Sequence, residues 1–168
     1  MEILGGRIHL TAAPIAEHVV IASETTEQFY EQLPRSMRST TAGAAIAPYV
    51  TGGDFAVPDL IVAPKEVFDT GNQVLPAVEM HLVAEVVPPS NATKDLHVLP
   101  EVYALWRIPV YLLVDPRTGD ITAYSEPSHG VYAQKSGHDF CDGIELPLPE
   151  GKLIPNAAGF PRCRRLIG

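Results

Sequence analysis

The fold is decided by two apolar stretches of sequence, VPDLIVA at residues 57–63 and LVAEVV at residues 82–87. Short apolar runs of this kind, bounded by turn-forming residues, are typical of buried strands. Each run carries a single acid, Asp59 in the first and Glu85 in the second. Because ionised carboxylates are rarely buried unless they are paired or bind a metal, the pattern predicts neighbouring strands whose carboxylate oxygens point at one cation.

The segments on either side of these strands predict an α/β fold in which helices pack on a mixed sheet. Proline and glycine mark the ends of helices and the turns between strands. The predicted elements are a strand over 2–11 with a turn at Gly5-Gly6, a helix over 15–33, a strand over 40–50, a turn over 51–54, a poorly ordered polar loop over 65–79, strands over 81–87, 110–114 and 121–125, a helix over 93–106, and short strands near 131–134 and 144–146.

Length and composition indicate a single domain over residues 1–168, which we expect in the cytoplasm. With 46% apolar and 19% charged residues, the chain can bury a real core. No apolar run reaches the roughly 18 residues that span a bilayer, and no signal peptide opens the chain, so we expect no membrane partner. Cys141 and Cys163 match no zinc or redox spacing, which favours free thiols.

The net charge of −8 argues against tight binding to duplex nucleic acid, which normally requires a basic patch. The basic cluster formed by Arg162, Arg164 and Arg165 is at the C-terminal end of the sequence and is interpreted as a solvated tail. We therefore expect any nucleic-acid binding to be weak or local. A homodimer, or a protein partner that completes the site, is compatible with this composition.

Several short motifs follow one another in a specific order. They are EILGGR at residues 2–7, Ala13-Pro14 with His18, the Pro-Asp strand, EVVPPSN at residues 85–91, Asp95 with Tyr103 eight residues later, IPVY at residues 108–111 and VDP at residues 114–116. In this order the motifs resemble the Uma-type family of restriction-endonuclease-like proteins, a branch of the PD-(D/E)XK nuclease-like superfamily. The resemblance covers nearly the whole chain.

The resemblance implies a restriction-endonuclease-like mixed β-sheet flanked by helices and a metal-dependent phosphodiesterase site. By that resemblance, Asp59 and Glu85 would hold Mg²⁺ or Mn²⁺, with the carbonyl of Val86 as a third ligand. Such hard cations prefer oxygen ligands. Glu2 matches an early glutamate of the family at the edge of the site, and His18 matches a family histidine near the start of the first helix.

The chain departs from the family pattern at the lysine. The superfamily lysine follows the glutamate by two residues, or lies four residues after the aspartate that Asp95 matches; these positions hold Val87 and Leu99. Lys94 is close in sequence, but on an α-helix it lies about 140° away from Leu99, so we do not expect it to substitute simply. A positioned lysine is typically worth about 10² to 10⁴ in rate, so its loss predicts slow hydrolysis.

Two further changes accompany the missing lysine. Arg107 replaces the glycine that usually closes the second helix, and Pro88 replaces a serine. Arg107 would suit the helix dipole, or would offer a guanidinium to an anion in the pocket, where His18 and Lys94 are further candidate contacts to an anion or substrate.

The candidate acids also have structural interpretations that the sequence leaves open. Asp59 would cap a loop, and Glu85 would form a buried salt bridge with Arg7 or Arg107. Glu2 would belong to a frayed terminus. For Asp95, the preferred interpretation is that it caps the second helix.

These observations support three hypotheses. The first is a metal-dependent endonuclease-like protein that hydrolyses phosphodiesters, in which Asp59, Glu85 and Glu2 carry the catalysis and the lysine role is vacant or taken by another cation. The second is a binding module that keeps the fold without the chemistry. The third is an enzyme repurposed for a small anionic metabolite, with Arg107 and His18 lining its pocket.

Overall fold

A computed structural model describes residues 1–41, 43–49, 53–89, 92–149 and 151–161 of the chain. Within these ranges the elements are, in chain order, β1 (Glu2–Leu4), β2 (Arg7–His9), α1 (Ala16–Gln32), β3 (Met37–Thr41), β4 (Ala45–Ala47), β5 (Leu60–Pro64), a 3₁₀ helix (Lys65–Thr70), β6 (Val74–Pro76), a 3₁₀ helix (Ala77–Glu79), β7 (Leu82–Val86), a π-helical turn (Lys94–Val98), α2 (Leu99–Leu105), β8 (Val110–Asp115), β9 (Asp120–Ser128), β10 (Val131–Asp139), β11 (Leu146–Leu148) and β12 (Gly151–Leu153).

A six-stranded sheet with the strand order β10-β9-β8-β7-β5-β3 forms the centre of the fold. β7 and β8 are parallel, and the other neighbouring strands are antiparallel. Parallel strands need a crossover connection, which here contains the π-helical turn and α2. Asp59 directly precedes β5, and β5 pairs with β7, where Glu85 lies. The predicted adjacency of the two acid-bearing segments is therefore confirmed.

The sheet separates two apolar cores, because successive side chains of a strand point to opposite faces. On β7, the even-numbered residues from Leu82 to Val86 pack in the core that contains α1. Val83 and Val87 pack in the other core, which contains α2. Glu85 lies between Val83 and Val87 on the same face of the strand, so its side chain points toward α2.

The hairpin of β1 and β2 is fastened beside this second core. Its turn consists of Gly5 and Gly6, both with positive φ, which glycine adopts without steric cost. The carboxylate of Asp54 accepts hydrogen bonds from both of their N–H groups. Ile3 also pairs with Phe55 through two backbone hydrogen bonds of 3.0 and 2.8 Å. These contacts hold β1, and with it Glu2, in a fixed place.

Most of the predicted elements are observed with shifted ends. The helix over 15–33 is α1, the helix over 93–106 is the π-helical turn followed by α2, and the predicted strands of the sheet are β5, β7, β8, β9 and β10. In the second half, β10 extends to Asp139, and the short strand predicted near 144–146 is β11.

Two predictions about the first half are wrong. The segment 40–50 is not one strand: β3 pairs with β5 in the central sheet, whereas β4 pairs with β6. The segment 65–79 is not a poorly ordered loop, because it forms two 3₁₀ helices and β6. The first two residues of the predicted turn over 51–54, and the arginine cluster over 162–165, lie outside the described residues.

The membrane prediction concerns helices. In the part of the chain that the structure describes, no helix is long and apolar enough to cross a bilayer.

Candidate active site

The two carboxylates predicted to share a cation meet where β5 begins and β7 ends. The Oδ2 atom of Asp59 accepts a hydrogen bond of 2.9 Å from the backbone N–H of Val86. In the opposite direction, the backbone N–H of Asp59 donates to Oε2 of Glu85 over 3.4 Å. Each acid is thus tied to the strand of the other, and both side chains approach the same point.

His18 reaches the same acid from α1. Its Nε2 lies 2.9 Å from Oδ2 of Asp59, and its side chain is only 13% exposed. Among the described residues, no hydrogen bond reaches Oδ1 of Asp59, so this oxygen remains open to a ligand. The predicted placement of His18 beside the acids is therefore observed, although the structure gives it a contact with an acid rather than with an anion.

Glu85 is held from the α2 side by a tyrosine. The hydroxyl of Tyr103 donates to Oε1 of Glu85 over 2.6 Å, and both residues are buried. In the described part of the chain, no lysine, arginine or histidine lies within ion-pair distance of Glu85. The alternative of a salt bridge to Arg7 or Arg107 is therefore wrong.

Glu2 and Lys94 form a second pair beside the first. Lys94 Nζ lies 2.5 Å from Oε2 of Glu2 and 3.5 Å from Oδ1 of Asp95. The other oxygen of Glu2 accepts a hydrogen bond of 3.1 Å from the N–H of Val57. Glu2 is 3% exposed, so it does not belong to a frayed terminus. Its predicted position at the edge of the site agrees with these contacts.

Burial dominates the electrostatics of this group. It raises the pKa of Glu85 well above the usual range; the nearby charge of Asp59 adds to this rise, and that of Lys94 opposes it. Burial also raises the pKa of Asp95, to about 6, against the charge of Lys94. For Lys94, burial lowers the pKa, but the attraction of Glu85, Asp95 and Glu2 outweighs it and the pKa rises. Burial thus disfavours the charged form of Glu85, and the charge of Lys94 offsets this only in part.

The donors present fit a hard divalent cation. Asp59 and Glu85 offer carboxylate oxygens, and Val86 adds a carbonyl on the same stretch of β7. Mg²⁺ usually keeps several waters and binds through one or two carboxylates, so two acids are sufficient. Within the described ranges, no group of three or more His, Cys, Asp or Glu side chains is arranged as a metal site. The unmatched burial of Glu85 is the observation that favours a cation here.

Two sequence interpretations are contradicted by the geometry. Arg107 is exposed and precedes β8, whose first residue Val110 pairs with Leu82, at the end of the sheet away from Glu85. Arg107 is therefore not part of the pocket. Asp95 does not cap the helix, because it lies inside the π-helical turn and is buried beside Lys94.

Two functional features were missed by sequence reasoning. The helical spacing of Tyr103 correctly indicates a core position, and its edge-to-face packing on Trp106 and Tyr111 agrees, but the spacing does not show that its hydroxyl binds Glu85. Lys94 was a candidate contact of the pocket, but its ion pairs with Glu2 and Asp95 were missed, because an α-helical geometry was assumed for residues 94–98. A signal was present in both cases, since a tyrosine and a lysine on one crossover helix follow the strand of Glu85.

Comparison with known proteins agrees with this fold. The sequence matches the family model Uma2, described as "Putative restriction endonuclease", over residues 1–154. A crystal structure of a nuclease, described as putative and belonging to DUF820, from Anabaena variabilis ATCC 29413 has a TM-score of 0.70 and 18% sequence identity, covering 94% of this chain and 87% of that one. At this identity the likeness shows the fold alone.

A second structure, apo NucC from E. coli MS115-1, has a TM-score of 0.33 and 17% identity over 80% of this chain and 48% of that one, which is too weak to support an inference. Among curated proteins, no sequence matches this chain at a significant level. The restriction-endonuclease-like fold expected from the motif order is confirmed by the family match and by the DUF820 structure. The chain belongs to the Uma2 family of restriction-endonuclease-like proteins.

Proposed function

We propose that this protein is a phosphodiesterase of the endonuclease type that depends on Mg²⁺ or Mn²⁺. The observation that carries the proposal is the convergence of Asp59 and Glu85, each hydrogen-bonded across the β5–β7 pair. Placing the buried Glu85 beside the half-buried Asp59 costs free energy unless a cation balances their charge, and their oxygens are the ligands that these ions prefer. Membership in a family described as "Putative restriction endonuclease" supports the same reaction class.

In this proposal, Asp59, Glu85 and the carbonyl of Val86 hold the ion. When bound, the ion supplies charge for the phosphoryl oxygens and lowers the pKa of an attacking water. Tyr103 orients Glu85 through its hydroxyl, and His18 orients Asp59 from α1. Hydrolysis forms a bond between the water oxygen and phosphorus, breaks one ester P–O bond, and returns a proton to the leaving oxygen.

We expect this protein to bind its nucleic-acid substrate weakly. The chain carries a net charge of −8, so phosphate backbones gain little from long-range attraction. Single-stranded or locally opened substrates, low salt, or a protein partner would compensate for this repulsion. A cytoplasmic location, where free cations and nucleic acid are both present, is part of the proposal.

The test is cleavage of supercoiled and single-stranded DNA in Mn²⁺ and in Mg²⁺ at low salt. We expect metal-dependent cleavage by the wild type and its loss in Asp59→Ala. The control is Asp69→Ala, an exposed acid of the first 3₁₀ helix, which should cleave as the wild type does. Equal activity of Asp59→Ala and wild type, or no activity in either, would remove the proposal.

A binding module without turnover is the second candidate function. It is favoured by one contact: Oδ2 of Asp59 is already satisfied by two protein donors, His18 and the N–H of Val86. Calorimetry with Mn²⁺ distinguishes the candidates, because an inert pocket should bind the ion weakly. The third hypothesis, a small-metabolite enzyme, loses its main support because Arg107 is not at the site.

A further inference from the structure

The crossover helix begins with an irregular turn that changes which side chains face the site. Residues Lys94–Val98 are π-helical, and the N–H of Leu99 donates to the carbonyl of Lys94, five residues earlier. π-helical turns are rare and occur frequently at functional sites. In an α-helix Lys94 would point about 140° away from Leu99. In a wider π turn, a residue five positions earlier is close to one full turn away, so both side chains turn toward the sheet.

The two residues then have different environments. Leu99 is fully buried in the apolar core beside Tyr103. Lys94 extends over the acids, where its side chain is 14% exposed. A lysine is seldom buried without compensation, and here the compensation is the pair of carboxylates on Glu2 and Asp95. Lys94 is thus held in one place rather than moving freely in solvent.

The ammonium group keeps capacity for a further acceptor. A lysine ammonium has three N–H donors, of which Glu2 accepts one and Asp95 lies in position to accept another. A third donor remains for an oxygen that enters beside the acid pair. A phosphodiester that enters beside Asp59 and Glu85 would offer such an oxygen, and its negative charge suits an ammonium donor.

We propose that Lys94, placed by the π-helical turn, is the residue that faces the phosphate of the substrate, and that Glu2 is its positioning residue. This inference rests on the proposed function. The ammonium of Lys94 donates to a phosphoryl oxygen and stabilises the negative charge that grows on it during hydrolysis. Its role is electrostatic, since it neither accepts the proton of the attacking water nor forms a bond to phosphorus.

The test compares four variants with the wild type in Mn²⁺-dependent cleavage of single-stranded DNA. Lys94→Gln should lower kcat by about 10²- to 10³-fold with little change in KM, as expected for a lost charge-stabilising donor. Lys94→Arg should recover part of this loss, because the positive charge remains. Glu2→Gln should lower kcat less than Lys94→Gln does. Lys65→Gln, on an exposed lysine, is the control and should match the wild type.

Mn²⁺ binding measured by calorimetry separates a role in turnover from a structural role. Removing the positive charge of Lys94 should leave Mn²⁺ affinity equal or higher, because the acids lose a competing cation. Lys94→Gln should therefore bind the ion while failing to cleave. A loss of Mn²⁺ binding together with cleavage would show that Lys94 only shapes the site, and would overturn the inference.

The outcomes also separate this inference from the proposed function. If Asp59→Ala abolishes cleavage but Lys94→Gln retains it, the proposed role of Lys94 is overturned. The proposal of metal-dependent hydrolysis then remains. If Asp59→Ala still cleaves DNA, or if the wild type does not cleave it, the proposed function is overturned and the inference with it. Equal loss in Lys94→Arg and Lys94→Gln would contradict a purely electrostatic role.

Discussion

The hydrogen bond from Tyr103 to Glu85 allows a measurable prediction about how the buried acid is stabilised. Tyr103→Phe removes the hydroxyl but keeps the ring packed on Trp106 and Tyr111. A hydrogen bond to an ionised group contributes about 1.5–3 kcal/mol, and Glu85 has no ion-pair partner in the described part of the chain to replace it. We expect Tyr103→Phe to lower the free energy of unfolding by this amount when Glu85 is ionised.

Tyr111→Phe is the matched control. Tyr111 is also fully buried, but its hydroxyl donates over 3.0 Å to a neutral acceptor, the backbone carbonyl of Asp95. A neutral hydrogen bond contributes about 0.5–1.5 kcal/mol, so Tyr111→Phe should cost about 1 kcal/mol less than Tyr103→Phe. Urea unfolding followed by circular dichroism gives both free energies without metal.

The pH dependence gives the sharper outcome. Because burial raises the pKa of Glu85, the acid is ionised in the folded protein only at higher pH than in the unfolded chain. The extra cost of Tyr103→Phe should therefore be larger at pH 9 than at pH 5, whereas the cost of Tyr111→Phe should hardly change between them. Equal costs for the two variants at pH 9 would refute the reasoning that Tyr103 supports a charged Glu85.

Three further predictions concern the acids and the helix end. Mn²⁺ at about 100 times its Kd should stabilise the wild type by about 2.7 kcal/mol in thermal unfolding, and Asp59→Ala should lose this effect; stabilisation that survives in the variant would place the ion elsewhere. The folded pKa of Asp95 is about 6, raised from 3.8, so ionising Asp95 costs the folded state about 3 kcal/mol as pH rises from about 4 to above 6. Without metal, Asp95→Asn should therefore gain stability relative to the wild type over this pH range, and an unchanged difference between pH 4 and pH 8 would contradict it. Arg107 has φ of 61°, in the left-handed region, so Arg107→Gly should raise the free energy of unfolding by about 1 kcal/mol and leave DNA cleavage unchanged; a loss of cleavage would return Arg107 to the site.

The sequence predicted the acid pair because apolar context makes a buried carboxylate conspicuous. Asp59 and Glu85 each interrupt a run that only a strand explains, and the β5–β7 pairing places them as expected. The order of elements was also predictable, since proline and glycine mark their ends. These signals are local, so they can be read without knowing what packs on the sheet.

The remaining features depend on contacts between distant segments. The hydroxyl of Tyr103 on α2 donates to Glu85 on β7, a contact between a helix and the sheet. β6 forms because it pairs with β4, and the polarity of the sequence does not reveal this pairing. Lys94 was a candidate contact of the site, but its pairing with Glu2 could not be predicted because the i→i+5 hydrogen bond to its carbonyl is not encoded in a hydrophobic period. Arg107 is near the site in sequence, but α2 carries the chain back to the other end of the sheet before β8 begins.

The pairing of Glu2 with Lys94 spans 92 positions of the chain. During translation, Glu2 leaves the ribosome long before its partner has been synthesised, so a nascent polypeptide cannot present an assembled centre. The chemistry proposed for this protein would damage nucleic acid close to the site of its own synthesis. A centre divided between β1 and the crossover helix delays that hazard until both segments have left the ribosome.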